Sequence, residues 1–449
     1  MRSRVVDMTK GNTTKLLISF MIPLLLGNLF QQFYNVVDSM IVGKFVGADA
    51  LAAVGATGSI NFLFFSLCNG LSNGIGIVIS QYFGAEREDD VRNTIGNAIY
   101  IIFASAMAMT VLSIAVSRPL MRALNTPDNI INDSVLYMRI ICIGILFISV
   151  YNCVSAILRA LGDSKSPLYF LILSSFLNIG MDLLFVCVFK MGVAGAAIAT
   201  IVAQFIAAIT SLLFALHSNE YFKINKDNLR YDHVIVHQSV RIGVPLAFQS
   251  SLIAISCVVL QSVVNTFGST VVAAFTATSR LEQIVQQPFN SLGMAESTYA
   301  GQNIGAGNEE RVKKGLWTGL AIMACMVCLF VPVAQFCGGF FMRLFVNDAD
   351  VIAFGTHALK LTSWFYLFLG AIYVCRGMLN GSGDATFAFI NGLVEMAGRI
   401  CFAKPFTLIP GVGVWGVWLA TAMTWCVTGI ISLLRYLQGK WKLNLNIRK

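Results

Sequence analysis

The chain is a series of long apolar stretches separated by short polar connections. Each stretch has about 20 residues or more, the length that an α-helix needs to cross a hydrocarbon core of about 30 Å. We identify twelve, at approximately 16–43, 51–80, 93–117, 135–158, 167–189, 193–216, 239–264, 270–300, 314–340, 355–379, 385–409 and 411–437. The pattern predicts an all-α membrane protein with twelve transmembrane helices.

Residues of the first half of the sequence recur in the second half at one constant distance along the chain. Gln81, for example, recurs as Gln302, and we call the distance between these two positions the repeat spacing. Further pairs at this spacing are Met121-Arg122 and Met342-Arg343, Gly162-Asp163 and Gly383-Asp384, Gly192-Val193 and Gly413-Val414, and Ala199-Thr200 and Ala420-Thr421. With six spans in each copy, both copies enter the membrane from the same side, so the repeat is parallel. Paired repeats usually build a substrate site at their interface and move against each other, a pattern typical of transporters.

Composition and charge agree with a location in lipid. The chain is 57% hydrophobic and only 12% charged, unlike a soluble protein of 449 residues. Most Lys and Arg residues lie in segments on the side of the N-terminus or at the helix ends next to them, and Arg280 and Arg399 are the two that are assigned to neither side. This bias predicts that both termini are cytoplasmic. It also explains the net charge of +9 without a nucleic-acid partner.

A long polar connection divides the chain into two parts. We expect an N-terminal six-helix lobe over residues 1–216, a cytoplasmic linker over 217–238 and a C-terminal six-helix lobe over 239–449. The first span of each lobe contains a proline, Pro23 or Pro245. Proline weakens the hydrogen-bond ladder of a spanning helix and permits it to bend.

Polar residues inside the spans are the candidates for function, because charge in the hydrocarbon region is costly. Asp38 lies deep in the first span, and Asn178 and Asp182 share one face of the fifth span at i, i+4. Thr200 in the sixth span adds a hydroxyl. A carboxylate in a low-dielectric site takes up a proton readily, and Asp38 and Asp182 could equally hold a dehydrated Na+. The alternative is that both aspartates only hydrogen-bond across helices.

Several motifs along the chain resemble one family. They are Met8-Thr9-Lys10-Gly11, Pro23-Leu24-Leu25-Leu26-Gly27-Asn28, Gln31-Gln32-Phe33-Tyr34-Asn35, Val37-Asp38, Ser279-Arg280-Leu281-Glu282-Gln283, Gln287-Pro288 and Gly301-Gln302-Asn303-Ile304-Gly305-Ala306-Gly307. Together they resemble the multidrug and toxic compound extrusion (MATE) family, in its bacterial DinF-like branch. The resemblance covers the whole chain.

The resemblance implies two six-helix lobes that face each other in a V around a central cavity. It also implies export of organic cations or amphipathic compounds in exchange for inward H+ or Na+, without a cofactor. The family uses an aspartate of the first helix, an Asn-x-x-x-Asp pair of the fifth and a threonine of the sixth, and all four residue types stand at the matching positions here. We expect a monomer in the bacterial cytoplasmic membrane, with lipid and small-molecule substrate as its partners.

The second copy does not repeat the acids of the first. The repeat spacing takes Asn178 to Arg399 and Asp182 to Ala403, so we expect ion coupling in the N-terminal lobe. Glu395 precedes Arg399 by one helical turn, and we expect these two charges to neutralise each other. We expect a polar, aromatic-rimmed substrate cavity to be lined by Gln32, Phe33, Tyr34, Asn35, Glu282, Gln283 and Gln287.

Three other functions compete with that of an antiporter. A flippase for lipid-linked saccharides has a similar fold, but such proteins tend to line their cavity with several cations and to add spans. A membrane enzyme would need a nucleophile–base or metal set, and the spans hold no HExxH-like or GxSxG-like motif. A channel fits less well than alternating access, because the chain is a two-lobe repeat in which the intramembrane carboxylates are distributed asymmetrically.

Overall fold

The computed structural model describes residues 5–124 and 126–442, and within them the chain is helical with no β-strand. Its fourteen α-helices are α1 (Thr13–Phe45), α2 (Ala48–Gly84), α3 (Glu88–Ala123), α4 (Asp128–Ile143), α5 (Ile145–Ala160), α6 (Lys165–Asp182), α7 (Gly192–Ser218), α8 (His233–Val264), α9 (Ser269–Gly305), α10 (Glu309–Arg343), α11 (Ala349–Ser363), α12 (Tyr366–Gly381), α13 (Ala385–Thr407) and α14 (Gly416–Leu437). The all-α fold class predicted from the apolar stretches is confirmed.

Two of the predicted spans are broken helices. Among the described residues, nine helices are long and apolar enough to cross a membrane, and two bent pairs bring the number to eleven. The fourth span consists of α4 and α5, bent by 47°, and the tenth consists of α11 and α12, bent by 56°. The eighth span is α9, which is 37 residues long but less apolar than the others.

The backbone repeats at the same spacing as the sequence. Residues with a left-handed φ occur in pairs separated by the repeat spacing: Gly47 and Gly268, Glu86 and Gly307, Gly162 and Gly383, Lys190 and Gly411, and Gly192 and Gly413. At Gly162 the need for glycine is steric as well, because a Cβ would lie 2.2 Å from the carbonyl oxygen of Val6. The turns between helices are therefore repeated in the two copies down to single residues.

The described residues group into two compact units. The first unit contains residues 5–7 and 22–247, and the second contains residues 8–21 and those from Phe248 onward. This division differs from the predicted lobes in two places. The beginning of α1 belongs to the second unit, and the beginning of α8 belongs to the first unit. Both changes of unit fall close to a proline, Pro23 in α1 and Pro245 in α8.

Specific contacts fix both of these helix beginnings. In the second unit, the Met8 N–H donates to Gln302 Oε1 at 2.7 Å, and Thr13 Oγ1 lies 3.0 Å from the Tyr299 hydroxyl oxygen. In the first unit, α8 crosses α2 at glycines, since a Cβ on Gly74 would lie 2.6 Å from the Gly243 backbone. Small residues let two membrane helices approach this closely.

The connection before α8 is bound to α3. Asn97 accepts a hydrogen bond from the Asp232 N–H at 2.9 Å, and its Nδ2 donates to the Arg230 carbonyl at 3.2 Å. Tyr100 donates to the Leu229 carbonyl at 2.7 Å. Since this connection belongs to the first unit, it is part of that unit's packed structure.

Candidate functional site

The four polar residues singled out in the first, fifth and sixth spans lie together in the first unit. Asp38 comes from α1, Asn178 and Asp182 from α6, and Thr200 from α7. The carboxyl groups of Asp38 and Asp182 lie within hydrogen-bonding reach of each other. Asn178 Nδ2 donates to Thr200 Oγ1 at 3.4 Å, and Thr200 in turn donates to the Ala196 carbonyl at 3.1 Å. The three helices therefore converge at these side chains.

Oxygen atoms at this site are buried without a hydrogen-bond donor. Asp182 is 0% exposed and Asn178 is 3% exposed. Four oxygens there have no donor in ordinary hydrogen-bond geometry: Asp38 Oδ1, Asn178 Oδ1 and both carboxylate oxygens of Asp182. Leaving such oxygens unpaired inside a protein costs free energy, and the cost is largest for a charged carboxylate. The arrangement therefore suits a cation, which several oxygens can bind together, or a proton, which removes one negative charge and pairs two of these oxygens.

Two tyrosines and an apolar cluster surround the site. Tyr34 of α1 and Tyr137 of α4 lie within electrostatic range of both aspartates. Tyr137 also belongs to an apolar cluster contributed by α1, α2, α4 and α7 and the segment after α6. The sequence does not predict this role for Tyr137, because a tyrosine in an apolar span carries no charge that would distinguish it.

The helix that carries Asn178 and Asp182 changes its geometry directly after the site. At Asp182 the α-helical hydrogen bonding of α6 ends, and Leu183–Val188 form a π-helix. π-Helical turns are rare, and they occur frequently at functional sites. The apolar sequence of this segment gives no sign of the change, because all of its residues fit an ordinary α-helix as well.

The site contains two acidic side chains that could bind a metal ion, Asp38 and Asp182. Within the part of the chain that the structure describes, no group of three or more His, Cys, Asp or Glu residues could hold a metal ion. A Na+ between Asp38 and Asp182 would therefore need further oxygen ligands, and the neighbouring candidates are Asn178 Oδ1 and Thr200 Oγ1. A proton needs only the two facing carboxyl groups.

The cavity residues predicted in α1 do not share one environment. Tyr34 precedes Asp38 by one helical turn, so it lies on the same face of the helix, and it is half-buried. Gln32 is also half-buried, whereas Asn35 is exposed and Phe33 is 63% exposed within the described structure. Tyr34 is within electrostatic range of both Asp38 and Asp182.

In the second unit, the predicted cavity residues separate as well. Glu282 is buried, and its Oε1 accepts a hydrogen bond from Thr362 of α11 at 2.7 Å. Gln283 is exposed, and Gln287 is half-buried, with its Nε2 donating to the Gln283 carbonyl at 3.3 Å. Glu282 is therefore held inside its unit by α11, while Gln283 points away from it.

Comparison with known proteins gives consistent results. A family model described as MatE matches residues 23–184 and 245–403. The probable multidrug resistance protein YpnP of Bacillus subtilis is 34% identical over 449 residues, 98% of each chain. The probable multidrug resistance protein NorM of Thermotoga maritima is 23% identical, over 95% of this chain and 93% of that protein.

Solved structures share the fold. A MATE protein in the bent conformation superposes with a TM-score of 0.91 at 21% identity, covering 100% of both chains. A MOP superfamily transporter from Pyrococcus furiosus gives a TM-score of 0.90 at 21% identity, covering 100% of this chain and 99% of that chain. At this level of identity the similarity establishes the fold.

Proposed function

Because the chain belongs to the MATE family of membrane transporters, we propose that it is a secondary active antiporter that exports organic cations or amphipathic drugs in exchange for an inward-moving ion. The family consists of transporters and not of enzymes. Drug export is supported by curated relatives that are named multidrug resistance or multidrug export proteins. The distribution of Lys and Arg supports a multi-pass protein with both termini cytoplasmic, and we propose that it acts as a monomer.

The observation that carries this proposal is the set of buried oxygens without donors at Asp38, Asn178 and Asp182. Two facing carboxyl groups in a low-dielectric site cannot both carry a charge without a large cost, so one of them binds a proton readily. We propose H+ as the coupling ion, because one proton shared by Asp38 and Asp182 would remove the repulsion between the two carboxylates without further ligands.

The same chemistry supplies a reason for coupling. When the site takes up its ion from outside, the carboxylates are neutralised and closing the surrounding helices over them costs less. When the ion has left toward the cytoplasm, the charges favour an arrangement in which water reaches them. The ion and the drug then stabilise different conformations, and such differential binding is what any coupled switch requires.

The test is transport of ethidium, an organic cation, by the purified protein in liposomes under separately imposed proton and sodium gradients. We expect the proton gradient alone to drive ethidium movement. Asp38→Asn and Asp182→Asn should abolish this transport while the protein still folds, because the amide keeps the shape and removes the titrating charge. Asp49→Asn, at an exposed acid in the first turn of α2, is the matched control. Transport driven by sodium alone, or full activity of Asp38→Asn, would overturn the proposal.

A further inference from the structure

Glu296 of α9 differs from the other buried acids of the second unit. Glu395 lies 2.7 Å from Arg376 and 3.2 Å from Arg399, so the ion pair expected between Glu395 and Arg399 is present and a second arginine shares it. Glu282 accepts a hydrogen bond from α11. Glu296 is 0% exposed, and within the described parts of the chain neither of its carboxyl oxygens has a hydrogen-bond partner. Its carboxyl group therefore lacks a ligand.

Two glycines of α10 make room for Glu296 and for the tyrosine next to it on the helix. A Cβ on Gly319 would overlap Glu296 Oε1, and a Cβ on Gly315 would lie 2.5 Å from the Tyr299 ring. On the side of α12, Val374 Cγ1 would lie 3.0 Å from the same Cβ on Gly319. The carboxyl group therefore occupies a narrow slot between α9, α10 and α12, which we call the glycine slot.

The first unit has apolar residues at the equivalent positions. The repeat spacing takes Glu296 to Ile75 of α2 and Gly319 to Ala98 of α3. Both Ile75 and Ala98 are buried. The second copy thus differs at two positions that contact each other, because one carries a carboxyl group and the other lacks the Cβ that would overlap it. The glycine slot is therefore fitted to the acid.

The surroundings of Glu296 suit a proton as its ligand. The titratable side chains that face it are Tyr299 of α9 and Cys375 of α12, and neither is a cation. Arg311 of α10 lies over the Tyr299 ring at 5.6 Å, but its donors are bound by Asn303 and by the carbonyls of residues 8 and 11. A buried carboxylate without a partner is costly. A metal ion needs several oxygen ligands, whereas a proton needs one carboxyl oxygen.

The glycine slot lies next to the place where the N-terminal residues are attached. Tyr299 follows Glu296 by one helical turn, and its hydroxyl oxygen lies 3.0 Å from Thr13 Oγ1. One turn further along α9, Gln302 Oε1 accepts from the Met8 N–H at 2.7 Å. All of these residues belong to the second unit. A change in the packing of α9 at Glu296 would therefore reach the beginning of α1.

We propose that Glu296 is a proton-binding site of the second unit, separate from Asp38 and Asp182, and that its proton locks α9 against α10 and α12. With the proton bound, the neutral carboxyl group fits the glycine slot. When a base in solution takes the proton, the carboxylate leaves the slot for water, and the packing around it opens. The inference goes beyond the proposed export function, since the lock does not involve the drug.

The first experiment counts the protons that the purified protein releases when it is unfolded by guanidinium in weakly buffered detergent solution. An exposed glutamic acid is ionised at about pH 7.5, so an acid that was neutral in the fold loses its proton on unfolding. We expect wild type to release about one proton more per molecule than Glu296→Gln or Glu296→Ile, which carries the residue of the first copy. Glu310→Gln, at an exposed acid in the first turn of α10, is the control and should match wild type. Equal release by wild type and both Glu296 variants would overturn the inference.

The second experiment tests the lock by labelling Cys375, which is buried beside Glu296, with N-ethylmaleimide and quantifying the labelled peptide by mass spectrometry. Between about pH 6.5 and pH 8.5 we expect labelling of wild type to rise by about tenfold or more beyond that of Glu296→Gln, because loss of one proton is favoured about tenfold per pH unit. Cys142, a buried cysteine of the first unit, should be labelled equally in both proteins. Coinciding pH profiles for Cys375 would overturn the lock. Neither experiment depends on ethidium transport, so failure of the proposed function would be recognised separately.

Discussion

Replacing Thr200 by valine tests whether the candidate site holds a proton or a sodium ion. The substitution removes one hydroxyl and keeps a similar side-chain shape. Thr200 Oγ1 accepts from Asn178 Nδ2 at 3.4 Å and donates to the Ala196 carbonyl at 3.1 Å. Thr210 lies on the same helix and donates in the same way to the Ile206 carbonyl at 2.7 Å, so Thr210→Val is a matched control away from the site.

The magnitude follows from what the hydroxyl does in each case. A Na+ bound between Asp38 and Asp182 would need the Thr200 oxygen as a ligand. Losing a hydrogen bond or ligand to a charged group costs about 1.5–3 kcal/mol, which would raise the half-saturating Na+ concentration about tenfold or more. A proton shared by the two carboxyl groups does not use the hydroxyl. We therefore expect Thr200→Val to change the half-activating proton concentration by no more than about twofold.

The assay is the initial rate of ethidium transport in liposomes, measured against the imposed proton or sodium gradient for wild type, Thr200→Val and Thr210→Val. We expect the proton dependence of all three to coincide. A sodium-dependent rate whose half-saturation rises in Thr200→Val and not in Thr210→Val would refute H+ coupling. It would also identify Thr200 as a sodium ligand.

Three further predictions concern stability, measured as thermal unfolding in detergent. Gly74→Ala should destabilise the folded protein by about 1–3 kcal/mol, because the added Cβ would overlap the α8 backbone. Gly55→Ala is the control and should not destabilise the protein, because no atom lies within 4 Å of its added Cβ. Arg435→Gln should destabilise the protein by about 1.5–3 kcal/mol, the range for hydrogen bonds to charged groups, because Asp384 loses the two bonds at 2.7 and 2.9 Å from the Arg435 guanidinium. Glu86→Gly should stabilise the folded protein by about 1 kcal/mol. Glu86 has a φ of 59°, a conformation that favours glycine, and the second copy has glycine at the equivalent position. Unchanged unfolding would contradict each of the three.

The fold could be predicted largely from the sequence, because membrane helices need continuous apolar stretches and the repeat is visible in single residues. The breaks in the fourth and tenth spans could not. Gly144 separates α4 from α5, and Trp364 and Phe365 separate α11 from α12, but hydropathy is continuous through both points. Hydropathy also cannot tell with which unit each part of a long helix packs.

The candidate site was only partly predictable. Asp38 and Asp182 stand out because an acid is rare in an apolar span, and the spacing of Asn178 and Asp182 places both on one face. The sequence predicts that Arg376 lies at the cytoplasmic end of the tenth span, because basic residues usually lie near the end of an apolar stretch. Its burial depends on Glu395, which is 19 residues away in the chain, and no local pattern predicts such a pairing.

The exchange of helix beginnings between the two units has a consequence for biosynthesis. Residues 8–21 are translated long before their partners Tyr299, Gln302 and Arg311, which lie in the second half of the chain. The first unit in turn waits for the beginning of α8, since Gly74 packs against Gly243. Neither half of the chain can therefore mature by itself during synthesis, although domains usually fold one after the other from the N-terminus. Residues 8–21 therefore reach their final place only after most of the chain has been translated.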